Sequence, residues 1–329
     1  MRRREFLTFL GVAGTIVSEA ARAQQAIHRI GVLLPASSAD SKVKGDLVAF
    51  ARRLQSLGWI QGENLQIDYR WAGDDIAKMQ TDAKELVAAQ PDVLFVRGTP
   101  ATAAILRNTR TIPVVFAVVS DPVGEGFVAS VARPGGNATG FTNAESSLTG
   151  KWLSLLKEVM PTLRRIGFIF DPKVAPGGGT YYTSLIETAA LSSALAPAPM
   201  PFHEASVIEP MIDDFAQVPN GGLVVLPDAG TNLYRAQIMA AAARAGLPAI
   251  YGFPNLAEEG GLMSYGVDVT ELLRRAANYV DRILKGAKPG DLPVQLPDKF
   301  QFVINLKTAK ALNIQIPPGV LAIADEVID

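Results

Sequence analysis

Small polar residues stand just past short apolar runs at five places in this chain. They are Ser37 and Ser38 after residues 30–34, Gly98-Thr99-Pro100 after 93–96, Ser120-Asp121-Pro122 after 114–118, Asp171 after 166–170, and Asp228 with Thr231 after 223–226. Ser, Thr and Asp are preferred N-caps, so each cluster is expected to open a helix. The free N–H groups and positive dipole end at such a position also attract an anion, so capping is compatible with holding a ligand carboxylate at Thr99 or Ser120. Asp171 or Asp228 would meet a ligand amine, and Tyr181, Tyr182, Tyr251 and Phe253 would stack on an apolar part, although Phe253 reads equally well as core.

Other chemistry is thinly supplied. Covalent or acid–base catalysis needs a nucleophile and a base within reach of each other. The two histidines, His28 and His203, sit at strand edges with no partner pattern around them. The run Gly261-Leu262-Met263-Ser264-Tyr265-Gly266 has one residue too many for the nucleophile elbow of serine hydrolases and reads as a strand. The chain has no cysteine, and the adjacent acids Asp74-Asp75 and Asp213-Asp214 point apart, so neither metal nor cofactor is expected. The stretch Pro176-Gly177-Gly178-Gly179-Thr180 lacks the glycine spacing and the lysine of a phosphate loop.

The elements that must position these residues come in two similar sets. Arg29-Ile30-Gly31-Val32-Leu33-Leu34-Pro35 opens one run of strands and helices, and Arg165-Ile166-Gly167-Phe168-Ile169-Phe170-Asp171 opens another. Strands are expected at 30–34, 65–69, 93–96 and 114–118, then at 166–170, 200–203, 223–226 and 249–253. Helices fall between them, at 43–57 and 76–89 in the first half and at 181–195, 207–217 and 233–245 in the second. Such alternation implies parallel sheets. A helix over 271–285 and a last strand and helix would complete these sheets.

The expected fold is therefore α/β, with two Rossmann-like lobes of parallel sheet flanked by helices. The chain would cross between lobes three times, near 140–143, 265–268 and 294–299. Residues 28–141 and 267–295 are assigned to the N-terminal lobe, and 142–266 and 296–329 to the C-terminal lobe. Open parallel sheets place ligands outside the carboxyl ends of their strands, so the site is expected in the cleft between lobes, closed by a hinge.

Residues 1–23 read as an export peptide: Arg2, Arg3 and Arg4 precede an apolar stretch, and Ala21-Arg22-Ala23 offers a cleavage site. Arg3-Arg4-Glu5-Phe6-Leu7 also fits the twin-arginine pattern, with the general export route as the alternative. Removing Arg2, Arg3, Arg4 and Arg22 together with Glu5 and Glu19 takes the formal charge from −1 to about −3. With no basic stripe, nucleic acid is not an expected partner. A soluble, monomeric periplasmic protein without a lipid anchor is expected.

Three segments carry a wider likeness: Ser120-Asp121-Pro122-Val123-Gly124, Arg133-Pro134-Gly135-Gly136-Asn137-Ala138-Thr139-Gly140-Phe141, and Val303-Ile304-Asn305-Leu306-Lys307-Thr308-Ala309-Lys310-Ala311-Leu312. Through them the chain resembles the substrate-binding proteins of ABC importers, in the group that contains tryptophan and other aromatic amino-acid binders. The resemblance implies a periplasmic-binding-protein type I fold, closure around a small-molecule solute such as an amino acid, no enzymatic activity, and delivery to an ABC permease in the inner membrane. The candidate ligand-binding residues are Ser37, Ser38, Gly98, Thr99, Ser120, Asp121, Asp171, Tyr181, Asp228 and Tyr251. The rival readings are a ligand sensor for a membrane receptor and a periplasmic α/β hydrolase using Ser120 and Asp121.

Overall fold

The computed structural model describes residues 27–329 apart from Asp74 and Ser146, so the export peptide read at 1–23 lies outside the described residues. The chain builds two sheets. β1 (His28–Leu34), β2 (Leu65–Trp71), β3 (Val93–Arg97), β4 (Val114–Val119) and β5 (Ala138–Thr142) form a wholly parallel sheet in the order β2-β1-β3-β4-β5. The second sheet takes β6 (Arg165–Phe170), β7 (Ala196–Pro201), β8 (Gly221–Val225), β9 (Ala249–Tyr251), β10 (Met263–Val267), β11 (Phe300–Asn305) and β12 (Glu326–Ile328). Its order is β12-β11-β10-β9-β8-β6-β7, parallel except where β11 runs against β10.

Strands buried on both faces read as continuous apolar runs, and side chains alternate between the layers. In β3, Val93 and Phe95 join the core under helices Ser41–Ser56 and Val269–Leu284, while Leu94 and Val96 join the core under Ile76–Ala88 and Thr99–Asn108. After β5 the chain passes through Asn143 and Ala144 to helix Ser147–Val159, which packs on the second sheet. It returns after β10, where Asp268 caps helix Val269–Leu284, and this helix lies against Ser41–Ser56 and β4. Gln295, bridged to Phe141, then leads to β11.

One strand differs from the expected 200–203. β7 spans Ala196–Pro201 and contains Pro197, Pro199 and Pro201, a pattern that reads as strand-breaking. It is an edge strand paired only with β6, and the N–H groups of Ala196 and Phe202 donate to Arg164 and Phe170. The prolines fall on the alternate positions, where a missing donor faces outward and costs nothing.

The capping expectation also needs correction. Asp228 is an N-cap, and Gly98 occupies the cap position before Thr99–Asn108. Ser37 and Ser38 are not caps, because Asp40 opens helix Ser41–Ser56. No helix follows Ser120. Pro122, Gly124 and Gly126 turn the chain instead, with Asp121 Oδ1 accepting the Gly124 N–H at 2.8 Å. After Asp171 the helix waits until Thr180, beyond a 3₁₀ turn at Pro176–Gly179.

Candidate functional site

The carboxyl ends of both sheets face one narrow cleft with an open cavity of about 30 Å³. Pro35, Arg97, Gly98, Thr99, Val118 and Ser120 line it from the first sheet, and Val174, Pro176, Pro227, Asp228, Asn232 and Phe253 from the second. A larger outer chamber of about 360 Å³ shares Pro35, Pro100, Val174 and Ala229 with it and is walled by Asp75, Met79, Asp171, Lys173, His203 and Tyr234.

Backbone conformations at the cleft are specialised. Gly98 has φ 84°, and a β-carbon there would come within 3.4 Å of Pro35. Val118 has φ 59°, a left-handed conformation that a β-branched residue adopts only under constraint. It falls at the register shift between Ala117 and Val119 against β5, so the bulge aims the end of β4 at the cleft. In the facing loop, Gly179 has φ 97°, and a β-carbon there would lie 2.3 Å from the Phe170 ring. Glycine is what lets helix Thr180–Ser192 start against that ring.

Ser120 connects the two walls. Its buried hydroxyl receives a hydrogen bond from the Tyr182 hydroxyl at 3.0 Å and donates to Asn143 Oδ1 at 3.0 Å. Burial raises the Tyr182 pKa, so the phenol stays a donor. Two further links join the same sides: Glu125 Oε1 accepts the Gly177 N–H at 2.7 Å, and Arg235 lies 3.5 Å from Asp40.

Asp228 closes the second wall. Its Oδ1 accepts the Thr231 N–H at 2.8 Å in a capping box, and its Oδ2 accepts the Asp171 N–H at 3.2 Å. Burial pushes its pKa up to about 7, with the neighbouring Asp171 charge adding and the backbone N–H groups opposing. Asp228 is therefore held at the cleft surface by its backbone partners, with burial working against its charged form.

Of the candidate residues, Gly98, Thr99, Ser120 and Asp228 meet in the inner cleft, and Asp171 lines the outer chamber. Tyr181 is half-buried with its ring edge-on to Tyr182 at 5.0 Å, and Asp121 is tied into its own turn; neither lines either chamber. Ser37 and Ser38 are exposed on the loop before Asp40, and the Ser37 hydroxyl accepts the Ala39 N–H. Tyr251 is a core residue: it is 1% exposed, with its ring packed against Gly261, because the inward register of β9 turns it away from the cleft. Phe253, two residues on, is the aromatic that reaches the cleft.

Sequence reasoning missed Arg97, Asn232 and Val118. The one signal for Arg97 was a cation ending an otherwise wholly apolar strand immediately before Gly98-Thr99. Among the described residues no cluster of His, Cys, Asp and Glu fit to hold a metal ion occurs, and no helix is long and apolar enough to cross a membrane.

Known proteins share this arrangement. The chain is 27% identical over 293 residues to a tyrosine-binding protein of Clostridioides difficile (strain R20291), covering 87% of this chain and 80% of the relative. A conserved domain protein of Vibrio cholerae O1 biovar El Tor superposes with a TM-score of 0.84 at 27% identity, covering 92% of this chain and 99% of that one. An ABC domain from Streptococcus pneumonia in complex with L-Trp superposes with a TM-score of 0.85 at 25% identity, with the same coverage. The family model for ABC transporter substrate binding proteins matches residues 29–328, nearly the whole described chain. The two sheets facing one cleft are thus those of a periplasmic-binding-protein type I fold, and the chain belongs to the family of ABC transporter substrate binding proteins, a family of binders and not of enzymes.

Proposed function

We propose that this protein is the extracytoplasmic receptor of an ABC importer, and that it captures a free amino acid or related carboxylate, aromatic amino acids included, in the inner cleft. The family membership supports solute binding, and the relatives named for tyrosine and in complex with L-Trp support the ligand class. The observation that carries the reading is a cleft walled by strand ends of both sheets and spanned by the Tyr182–Ser120 hydrogen bond. Val118, Val174, Pro176 and Phe253 provide an apolar surface for a side chain, and Asp228 provides an acceptor for an ammonium group.

In this reading, residues 28–141 with 267–295 form one jaw and residues 142–266 with 296–329 the other. They swing about the three crossings, so contacts made by the ligand to both jaws favour the closed state. Residues 1–23 direct export to the periplasm, and the mature protein works as a monomer that hands its solute to a membrane permease.

The test is the melting temperature of residues 24–329 across amino acids, organic acids and aromatic solutes. A ligand at 100 times its Kd adds about 2.7 kcal/mol, which moves the transition by several degrees. An aromatic amino acid is expected among the stabilising solutes, with a smaller radius of gyration in solution scattering. A flat melting temperature across the whole panel would overturn the reading.

A further inference from the structure

Arg97 is a buried cation with no hydrogen-bond partner among the described residues. It ends β3, only 9% of its surface is exposed, and it lines the inner cleft beside Gly98, Thr99 and Ser120. Its Nε is buried without a partner, and among the described residues its guanidinium makes no hydrogen bond or ion pair. Arginine is always charged, and an unpaired buried charge is among the most destabilising features a fold can carry.

The strand alternation turns Arg97 toward helix Ser41–Ser56, where the Asp46 and Asp40 charges favour its protonated form against burial. Asp40 is engaged through both oxygens and Asp46 through Oδ1 alone, its Oδ2 being, like Arg97 Nε, buried without a hydrogen-bond partner among the described residues. Asp46 Oδ1 takes the Lys42 ammonium and the Thr270 hydroxyl, each at 2.7 Å. Asp40 caps Val43 through Oδ1, and its Oδ2 lies 3.5 Å from Arg235. They moderate the cost of the guanidinium charge from behind while leaving its N–H groups free.

A second feature faces the same spot. Helix Thr99–Asn108 starts at Gly98 with no side-chain cap; Pro100 has no N–H, so the open donors of its first turn are those of Thr99 and Ala101, and Gly98 and Thr99 line the same inner cleft as Arg97. A planar fork of donors beside a helix N-terminus matches a carboxylate. Asp228 on the facing wall, with Asp171 behind it in the outer chamber, adds acidic character that disfavours a multiply charged anion such as phosphate or sulfate.

We infer that Arg97, together with the open N-terminus of helix Thr99–Asn108, is the anchor for a ligand carboxylate, and that the protein selects its solute by that group. The inference rests on the amino-acid reading above and adds the residue that discriminates. A strand-end arginine left unpaired in the cleft then has a reason: its partner arrives with the ligand.

The test compares wild type, Arg97→Gln and Arg97→Lys by calorimetry with four probes: L-tryptophan, tryptamine, which lacks the carboxylate, indole-3-propionate, which lacks the ammonium, and inorganic phosphate. Wild type is expected to bind tryptophan at least 100-fold more tightly than tryptamine and to ignore phosphate. Arg97→Gln should lose 100-fold or more for tryptophan, and Arg97→Lys should fall between, since an ammonium cannot bind both oxygens in one plane. The free Arg97→Gln protein should melt at or above the wild-type temperature, a result that a merely structural ion would not give.

Tryptophan affinity within threefold of wild type in Arg97→Gln overturns the assignment and leaves the amino-acid reading standing. So does a fall of several degrees in that variant's melting temperature, which would mark Arg97 as a structural partner of Asp46. Wild type that binds indole-3-propionate but not tryptophan sinks the amino-acid reading and keeps the assignment. Wild type that prefers tryptamine, prefers phosphate, or binds none of the probes overturns both.

Discussion

The Tyr182–Ser120–Asn143 chain makes a quantitative prediction, because its two hydroxyls come from opposite walls. Tyr182→Phe removes one donor while the ring keeps its place in the core with Trp152, and Ser120 still donates to Asn143. A net hydrogen bond is worth about 0.5–1.5 kcal/mol, so ligand affinity should fall roughly 2- to 13-fold. Ser120→Ala is the harsher change: in the closed form it leaves the Tyr182 hydroxyl and the Asn143 carbonyl oxygen both without this partner. At about 1–3 kcal/mol per orphaned group the loss should exceed that of Tyr182→Phe. It should also shrink when Tyr182 is already Phe, giving a coupling energy of about 0.5–1.5 kcal/mol.

On the hinge reading proposed above, opening would expose both hydroxyls to water, so the effect should appear in the Kd and leave the melting temperature of the free protein nearly unchanged. Calorimetric titration of the two single variants and the double variant, with melts of the free proteins, measures all terms. If Tyr182→Phe matched or exceeded the loss from Ser120→Ala, or if the free protein's stability fell by as much as the binding energy, the bond would belong to the static core and not to closure.

Two further outcomes follow from named residues. The folded-state pKa of Asp228 is raised to about 7 by burial, so between about pH 4 and pH 7 the folded chain holds this proton more firmly than the unfolded one. The contribution is full below the unfolded pKa and is lost as pH rises through that window, by at most about 1.4 kcal/mol per unit. Asp228→Asn should therefore flatten the fall in melting temperature between pH 5 and pH 7.5, and superimposable calorimetric pH profiles would exclude the effect. In β7, Ala198→Pro removes a donor that faces β6 and should cost about 1–3 kcal/mol, whereas Pro199→Ala should be close to neutral in urea denaturation. Equal midpoints for the two variants would contradict the assigned register.

Much of the architecture was legible before any coordinates. Apolar runs at 30–34, 93–96, 114–118, 166–170 and 223–226 could only be strands buried on both faces, and their alternation with amphipathic helices required parallel sheets. Placement of Gly98, Thr99, Ser120 and Asp228 at the cleft followed from that topology, because ligands gather where parallel strands end. The strand expected at 200–203 instead runs over Ala196–Pro201, because alternate prolines are tolerated only on an edge whose outer side lies free, and that is a property of the assembled sheet. Ser37 and Ser38 misled because a polar residue beyond a strand looks the same whether the loop turns into the cleft or, as here, out to solvent.

The amino-acid order by itself determined the two-sheet plan of parallel strands flanked by helices and which residues stand at the strand ends that line the cleft. Only the tertiary structure decided that Arg97 is buried without a partner, that Tyr251 faces the core while Phe253 faces the cleft, and that Tyr182 reaches across to Ser120. Periodicity is a local quantity and survives in the sequence. Burial of a charge, or a hydrogen bond between residues 62 positions apart, depends on how two lobes meet, and no window along the chain contains that information.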